Sequence, residues 1–251
     1  MTGLVGLGTI INVVAIVLGA AVGVVIGHRL QKRTSEVVTD SLGLITLVLG
    51  ALNVAALADD AFVRAVGGGA TLLVVLASLL VGGVTGSLLR LEQRLEGFGA
   101  FLQSRFQRTG NSEAKKKFID GFVAASLIFT IGPLAILGAL SDGLGQGISQ
   151  LALKSALDGF ASIAFAASMG WGVAAAAIPV ALWQGSITVL AAIVGASLGA
   201  AAISSMTATG GILLIGVALR LLNIRQISVA DMLPSLIAAP LITLAVSSII
   251  V

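Results

Sequence analysis

Cysteine and tyrosine are absent from all 251 residues, and there is a single histidine, His28. Without cysteine the chain can supply no disulfide, zinc thiolate site or iron–sulfur cluster. The single histidine lies at the cytoplasmic edge of the first apolar run, which leaves a serine-hydrolase motif without a partner. Charge is scarce as well. Charged residues make up 10% of the chain, whereas a soluble domain carries roughly 25%. Fourteen basic and eleven acidic side chains cannot cover a soluble globule of this length. With 57% hydrophobic residues and a mean hydropathy of +1.11, the composition is that of an integral membrane protein. Only Trp171 and Trp183 are available for an interfacial aromatic belt, which is therefore thin. What is plentiful is glycine, 32 residues, and small residues let helices approach closely in lipid.

The apolar runs do not alternate with polar residues, which excludes a membrane β-barrel. The expected fold is an all-α polytopic transmembrane helix bundle, a single domain over 1–251. A crossing takes about 20 apolar residues. Spans are predicted near 5–27, 39–58, 67–89, 118–140, 150–170, 175–203, 206–222 and 229–251. That makes eight, with seven as the alternative, because 148–204 is apolar almost throughout. The first run is not a secretory signal by pattern: it is too long, and positive charge follows it.

Lysine and arginine orient the chain. Arg29, Lys32 and Arg33 fill the first connection. Arg90, Arg94, Arg105, Arg108 and Lys115–Lys117 fill the longest, 90–117, and Arg220 and Arg225 a third. These are alternate connections, and the positive-inside rule makes them cytoplasmic. Eight spans then put both termini outside. The net charge of +3 is spent on topology and does not point to nucleic acid. Within 88–108, Leu91, Leu95, Phe98, Leu102 and Phe106 recur at helical spacing. This predicts an amphipathic helix, lying on the inner leaflet or simply linking two halves.

Internal similarity suggests an inverted repeat. IVLGAAVG at 16–23 resembles AIVGASLG at 192–199, and TDSLGLITLVLGALNV at 39–54 resembles TATGGILLIGVALRLLNI at 207–224. DGFVAASLIFTIGP at 120–133 resembles DGFASIAFAASMG at 158–170. Spans 1–3 (1–89) would then match spans 6–8 (171–251). The basic connector 90–117 and the central spans 4 and 5 (118–170) lie between, and span 4 matches span 5. Both offsets are odd, so the halves would be inverted, an arrangement common in secondary transporters.

Several polar residues fall at membrane depth. Asp120 heads span 4, and Asp158 lies about 12 Å of helix into span 5. A charge in lipid is costly and normally faces an interior or a water-filled cavity. Lys154 and Asp158 share a helix face four residues apart, with Ser155 beside them. The functional reading is a cation or proton site. The structural one is an interfacial cap at Asp120 and a self-neutralised pair at 154/158. Ser126, Thr130, Gly132 and Pro133 sit in the middle of span 4. A proline there removes a donor and displaces the carbonyl of Phe129, which predicts a kinked or discontinuous helix whose freed carbonyls line a cavity. Asn12 and Asn53 are lone amides that serve as helix glue or as ligands. GASLG at 195–199 matches the serine-hydrolase elbow formally, but it lacks the strand–turn–helix context. It reads as glycine packing, as does GAAVG at 19–23. GLGQG at 143–147 is a turn. No motif implies a cofactor, a metal or an enzyme.

FIDGFVAASLIFTIGPLAILGALSDGL at 118–144, LALKSALDGFASIAFAASMGWGV at 151–173 and LPSLIAAPLI at 233–242 resemble the DUF554 family of bacterial membrane proteins. The likeness begins at GLGTIINVVAIVLGAAVG, 6–23. It implies a polytopic inner-membrane protein and no particular activity. From the residues, the expected function is transport or conduction of a small solute or ion through a site at spans 4 and 5. The alternative is a scaffold or sensor that binds a partner through 90–117. Glycine-rich faces also permit a homodimer. A polar cavity at midplane depth would favour transport, whereas Asp158 against lipid or in a sealed ion pair, with no cavity beside Gly132, would make the transport reading fail at its main site.

Overall fold

The structure, a computed structural model, describes residues 5–27, 31–106, 112–130, 133–194 and 199–250. Among these there are helices and no strands. In chain order they are α1 (Leu7–Gly27), α2 (Lys32–Val54), α3 (Asp60–Val66), α4 (Thr71–Leu88), α5 (Leu91–Phe106), α6 (Ser112–Thr130), α7 (Pro133–Gly143), α8 (Ser149–Met169), α9 (Gly172–Ala175), α10 (Ala177–Val194), α11 (Ala200–Leu221) and α12 (Ser235–Ile250). Among the described residues seven stretches are long and apolar enough to cross a membrane, and α6 with α7 makes an eighth if counted as one broken span. Large apolar side chains on their outer faces stay uncovered, among them Ile10, Leu18 and Val25 of α1 and Leu182 and Ile193 of α10. In a membrane these faces meet acyl chains.

The helices form two compact units. One comprises Met1–Leu42 and Leu95–Ser197, the other Gly43–Arg94 and Leu198–Val251.

The first unit is built on α1 and α8. Gly19, Gly23 and Gly27 recur every four residues, one face of a helix. They meet the carbonyls of Gly159, Ile163 and Ala167, which recur with the same step. A Cβ on these glycines would stand 2.3, 2.3 and 2.4 Å from those oxygens. No side chain fits there, and the backbones are close enough for Cα–H···O contacts. Both series of numbers increase together, so α1 and α8 run parallel. Asp142, at the end of α7, closes the start of α1 by accepting the N–H groups of Gly6 and Gly8, both at 3.1 Å. A buried carboxylate is stabilised there by the positive end of the helix. α7 crosses α10 at Gly143, where a Cβ would lie 2.3 Å from the carbonyl of Thr188. The turn from α7 to α8 needs Gly145 and Gly147, with φ of +69° and +112°.

α6 ends at Thr130 and α7 begins at Pro133, and their axes differ by 77°. The kinked or discontinuous helix expected within 118–140 is thus two helices, broken just before Pro133. Proline has no N–H to give the preceding turn but is well suited to a first helical position. A correction concerns 175–203 and 206–222. α10 ends at Val194 and α11 starts at Ala200, so the boundary falls earlier than expected. Gly199 precedes α11 with open space around it. It does not pack a neighbour, contrary to the expectation for GASLG, and Gly195 lies outside the described residues. α5 is helical as expected but is only partly a surface element. Leu102 is buried, Gly99 abuts the ring of Phe122, and Phe98 meets Phe122 edge-on at 5.9 Å. Phe101 remains 60% exposed.

In the second unit, Phe62, Val66, Val74, Val75 and Ala208 form a core. Gly82 and Gly86 of α4 let its backbone approach Ser235 and Asp231. Gly50 and Gly211 face each other across α2 and α11: a Cβ on either would lie 2.8 or 2.7 Å from the other's carbonyl oxygen. Glu92 is a buried carboxylate at the α4–α5 corner. It pairs with Arg220 and accepts the N–H of Ala230 at 2.8 Å, while Asp231 accepts the N–H of Glu92 at 2.8 Å. Asp59 caps α3 through the N–H groups of Ala61 and Phe62. A hydrogen bond from the Ser204 side chain, together with these backbone donors, holds the Asp59 carboxyl below its ordinary value of 3.8.

Candidate functional site

The first unit buries a polar cluster between α1, α8 and α10. Lys154 Nζ donates to Asp158 Oδ2 at 2.7 Å. Asn12 Nδ2 donates to the same oxygen at 3.0 Å and to Gln184 Oε1 at 3.2 Å. Asn12 and Gln184 are fully buried, and the side chains of Lys154 and Asp158 are 8% and 9% exposed. Asp158 stands nine residues into α8, about 14 Å along its axis. The sequence places Lys154 and Asp158 one turn apart on α8, the close α1–α8 crossing brings Asn12 to them, and Gln184 reaches in from α10.

The cluster is not saturated. Asn12 Oδ1 and Gln184 Nε2 are buried and lack a partner. Thr9 Oγ1, one turn before Asn12, and Ser162 Oγ, one turn after Asp158, are in the same state. Leaving such a group unmade costs about 1–3 kcal/mol. Two acceptor-capable hydroxyls, an amide oxygen and an amide N–H are thus available on helices that already meet at a charged pair.

The structure joins three of the sequence-predicted residues, Asn12, Lys154 and Asp158, into one network. Within the first unit, Asp120, Ser126, Thr130 and Ser155 are not part of it. Gly121 packs on Met169 and Gly172 on the Phe118 carbonyl. Asp120 therefore lies at the level of the α8 C-terminus, about 16 Å of helix from Asp158, and is half-buried. Ser126 donates to the Phe122 carbonyl at 2.5 Å, Thr130 to the Ser126 carbonyl at 2.7 Å and Ser155 to the Leu151 carbonyl at 2.6 Å. These hydroxyls bond their own helices. Pro133 starts α7, and Gly132 lies outside the described residues, as does His28. Asn53 belongs to the second unit, where its Cβ packs at Gly211. Sequence reasoning missed Gln184, although the criterion that singled out Asn12, a lone amide in an apolar run, applies to it equally. No group of three or more His, Asp or Glu side chains able to hold a metal occurs among the described residues.

The two Asp-Gly-Phe segments are not alike in place. Phe122 is fully buried, and Phe160 is 75% exposed. Gly23 packs against α8, and Gly199 meets open space. Residues that the sequence pairs thus differ in their surroundings.

A bundle of apolar helices with a buried, partly unsatisfied polar network defines a polytopic membrane protein. The chain belongs to the DUF554 family, described as a protein family of unknown function, whose model matches residues 7–244. It is similar to the uncharacterized protein YqgA of Escherichia coli (strain K12), with 29% identity over 93% of this chain and 94% of that protein. It is also similar to the uncharacterized membrane protein YdfK of Bacillus subtilis (strain 168), with 28% identity over 94% of each. No solved structure matches the chain.

Proposed function

We propose that the protein carries or conducts a small polar solute or ion through the membrane, with Asn12, Lys154, Asp158 and Gln184 as its binding groups. The observation that carries this reading is the pair of unpartnered buried amide atoms, Asn12 Oδ1 and Gln184 Nε2, beside a charged pair. A purely structural network would gain by satisfying them or by being apolar. Lys154 already neutralises Asp158, which favours a neutral or dipolar solute over a bare ion, unless a cation replaces the lysine ammonium. The sealed Lys154–Asp158 pair is the arrangement expected to count against transport, and Gly132, beside which a cavity is expected, lies outside the described residues; at the site the reading rests on the unpartnered amide atoms alone. A sealed pair is also what a non-transporting scaffold would display, so flux distinguishes the two.

Topology supports the same reading. Parallel helices α1 and α8 require an odd number of crossings between them. α2 and α4 supply two, and α6 with α7 supplies the third, broken at Pro133. On that count we infer eight crossings, with both termini outside by the positive-inside rule. Broken spans are where membrane carriers build sites.

Proteoliposomes holding wild type should pass at least one member of a panel of labelled neutral amino acids, sugars and sodium. Asn12→Ala and Gln184→Ala should lower that flux about tenfold or more, the effect of losing one buried hydrogen bond to the solute. No flux of any member above empty liposomes, or equal flux in all variants, would overturn the reading.

A further inference from the structure

Away from the polar cluster, a cavity of about 640 Å³ lies between α1, α6 and α9–α10. Its walls include Val13, Val17, Phe118, Trp171, Ile178 and Leu182, and no charged side chain lines it. A polar solute gains nothing there. Leu182 is 68% exposed and Trp171 48%, so the groove opens outward rather than into the core.

The α6 end of this groove is marked by charge. Phe118 is preceded at once by Lys115, Lys116 and Lys117, all exposed. Lys115 lies three residues before Phe118 and shares its helix face. These lysines occupy the opening turns of α6, where the helix end is itself positive and a cation is disfavoured. Glu113 is the one acidic side chain in the first turn of α6, so a net positive charge remains. An anion placed against this end would relieve both the lysines and the helix. Trp171, half-exposed at the same end, is a residue that settles at headgroup level.

We propose that the groove binds an anionic phospholipid, with one acyl chain along Val13, Val17 and Ile178 and the phosphate headgroup against Lys115–Lys117. The apolar wall explains the chain and the lysine run selects the charge. A basic cluster beside an apolar cleft between membrane helices is the combination that recognises such a lipid. The inference stands apart from solute transport, since none of its residues belongs to the polar cluster.

The test uses the full chain purified in a mild detergent. Phosphatidylglycerol or phosphatidylcholine with identical acyl chains is added, and retention is read by native mass spectrometry alongside thermal stabilisation. Wild type should retain phosphatidylglycerol about tenfold better. The triple variant Lys115→Gln, Lys116→Gln, Lys117→Gln should bring that ratio close to one while still holding both lipids. Ala175→Trp, which fills the groove, should lower retention of both lipids about tenfold. Should that variant not fold, Leu182→Gln at the exposed rim serves instead and should weaken both. Equal retention of the two lipids by wild type overturns the proposal, as does an unchanged ratio in the triple variant. So does a dimer mass that Ala175→Trp abolishes while lipid retention stays the same, because the groove would then belong to a second copy.

Discussion

Lys154 and Asp158 hold each other in a place where neither could remain alone. Removing one partner of a buried pair leaves an uncompensated charge and costs about 3–5 kcal/mol. Lys154→Met should therefore lower thermal stability in detergent sharply. Lys154→Met with Asp158→Leu should recover most of it, and the double variant should still fail to move solute. A double variant that transported normally would remove the pair from the site. The i, i+4 spacing made this pair legible in the sequence. Gln184 was legible by the same logic that picked Asn12. What could not be read was the fate of Ser126, Thr130 and Ser155: a hydroxyl bonded to its own helix and one offered to a ligand have the same sequence. Nor could the opposite placements of Phe122 and Phe160 be read, because neighbouring helices decide which flank of a span is covered.

At the scale of helices, the α1–α8 seam makes the strongest claim. Gly19→Val would drive a side chain into the carbonyl of Gly159 and should cost about 3 kcal/mol or more. Gly185 of α10 has nothing within 4 Å, so Gly185→Ala should be neutral or stabilise by about 0.5–1 kcal/mol. Thermal denaturation of both variants in one detergent checks the contrast, and equal losses would deny the seam its role. Asp59 supplies a pH signature. Its carboxyl is depressed below 3.8, so its contribution is present in full above the unfolded value and lost as pH falls through the folded one. Asp59→Asn keeps a good cap and should flatten the part of the stability decline below about pH 4 that Asp59 causes. A wild-type and variant decline that superimpose would contradict this. Helices α1 and α4 were readable because each is one apolar length bounded by charge or by turn residues, whereas α2 begins at Lys32, seven residues before its expected span, because its charged first turns continue the same helix. The junction of α10 and α11 was not, since nothing polar marks it between Gln184 and Arg220 except hydroxyls. The Gly-Pro did mark a break, and α7 begins at that proline.

Taken whole, the molecule is a membrane-embedded set of helices in which most polar groups are either satisfied locally or sit in two places. One is the Glu92–Arg220–Asp231 corner, which is fully bonded and reads as architecture. The other is the cluster around Asp158, which is not. The central claim is that this cluster meets water and solute. Because the chain contains no cysteine, single cysteines can be introduced without altering the native background. The most direct test is the reactivity of Thr9→Cys and Ser162→Cys in membrane vesicles toward a small, membrane-impermeant thiol reagent, with Ala208→Cys in the dry core as reference. Both cluster positions should label well above the reference while the Lys154–Asp158 pair is intact. Labelling at positions 9 and 162 no faster than at 208 would mean a dry, permanently sealed network and would contradict the account.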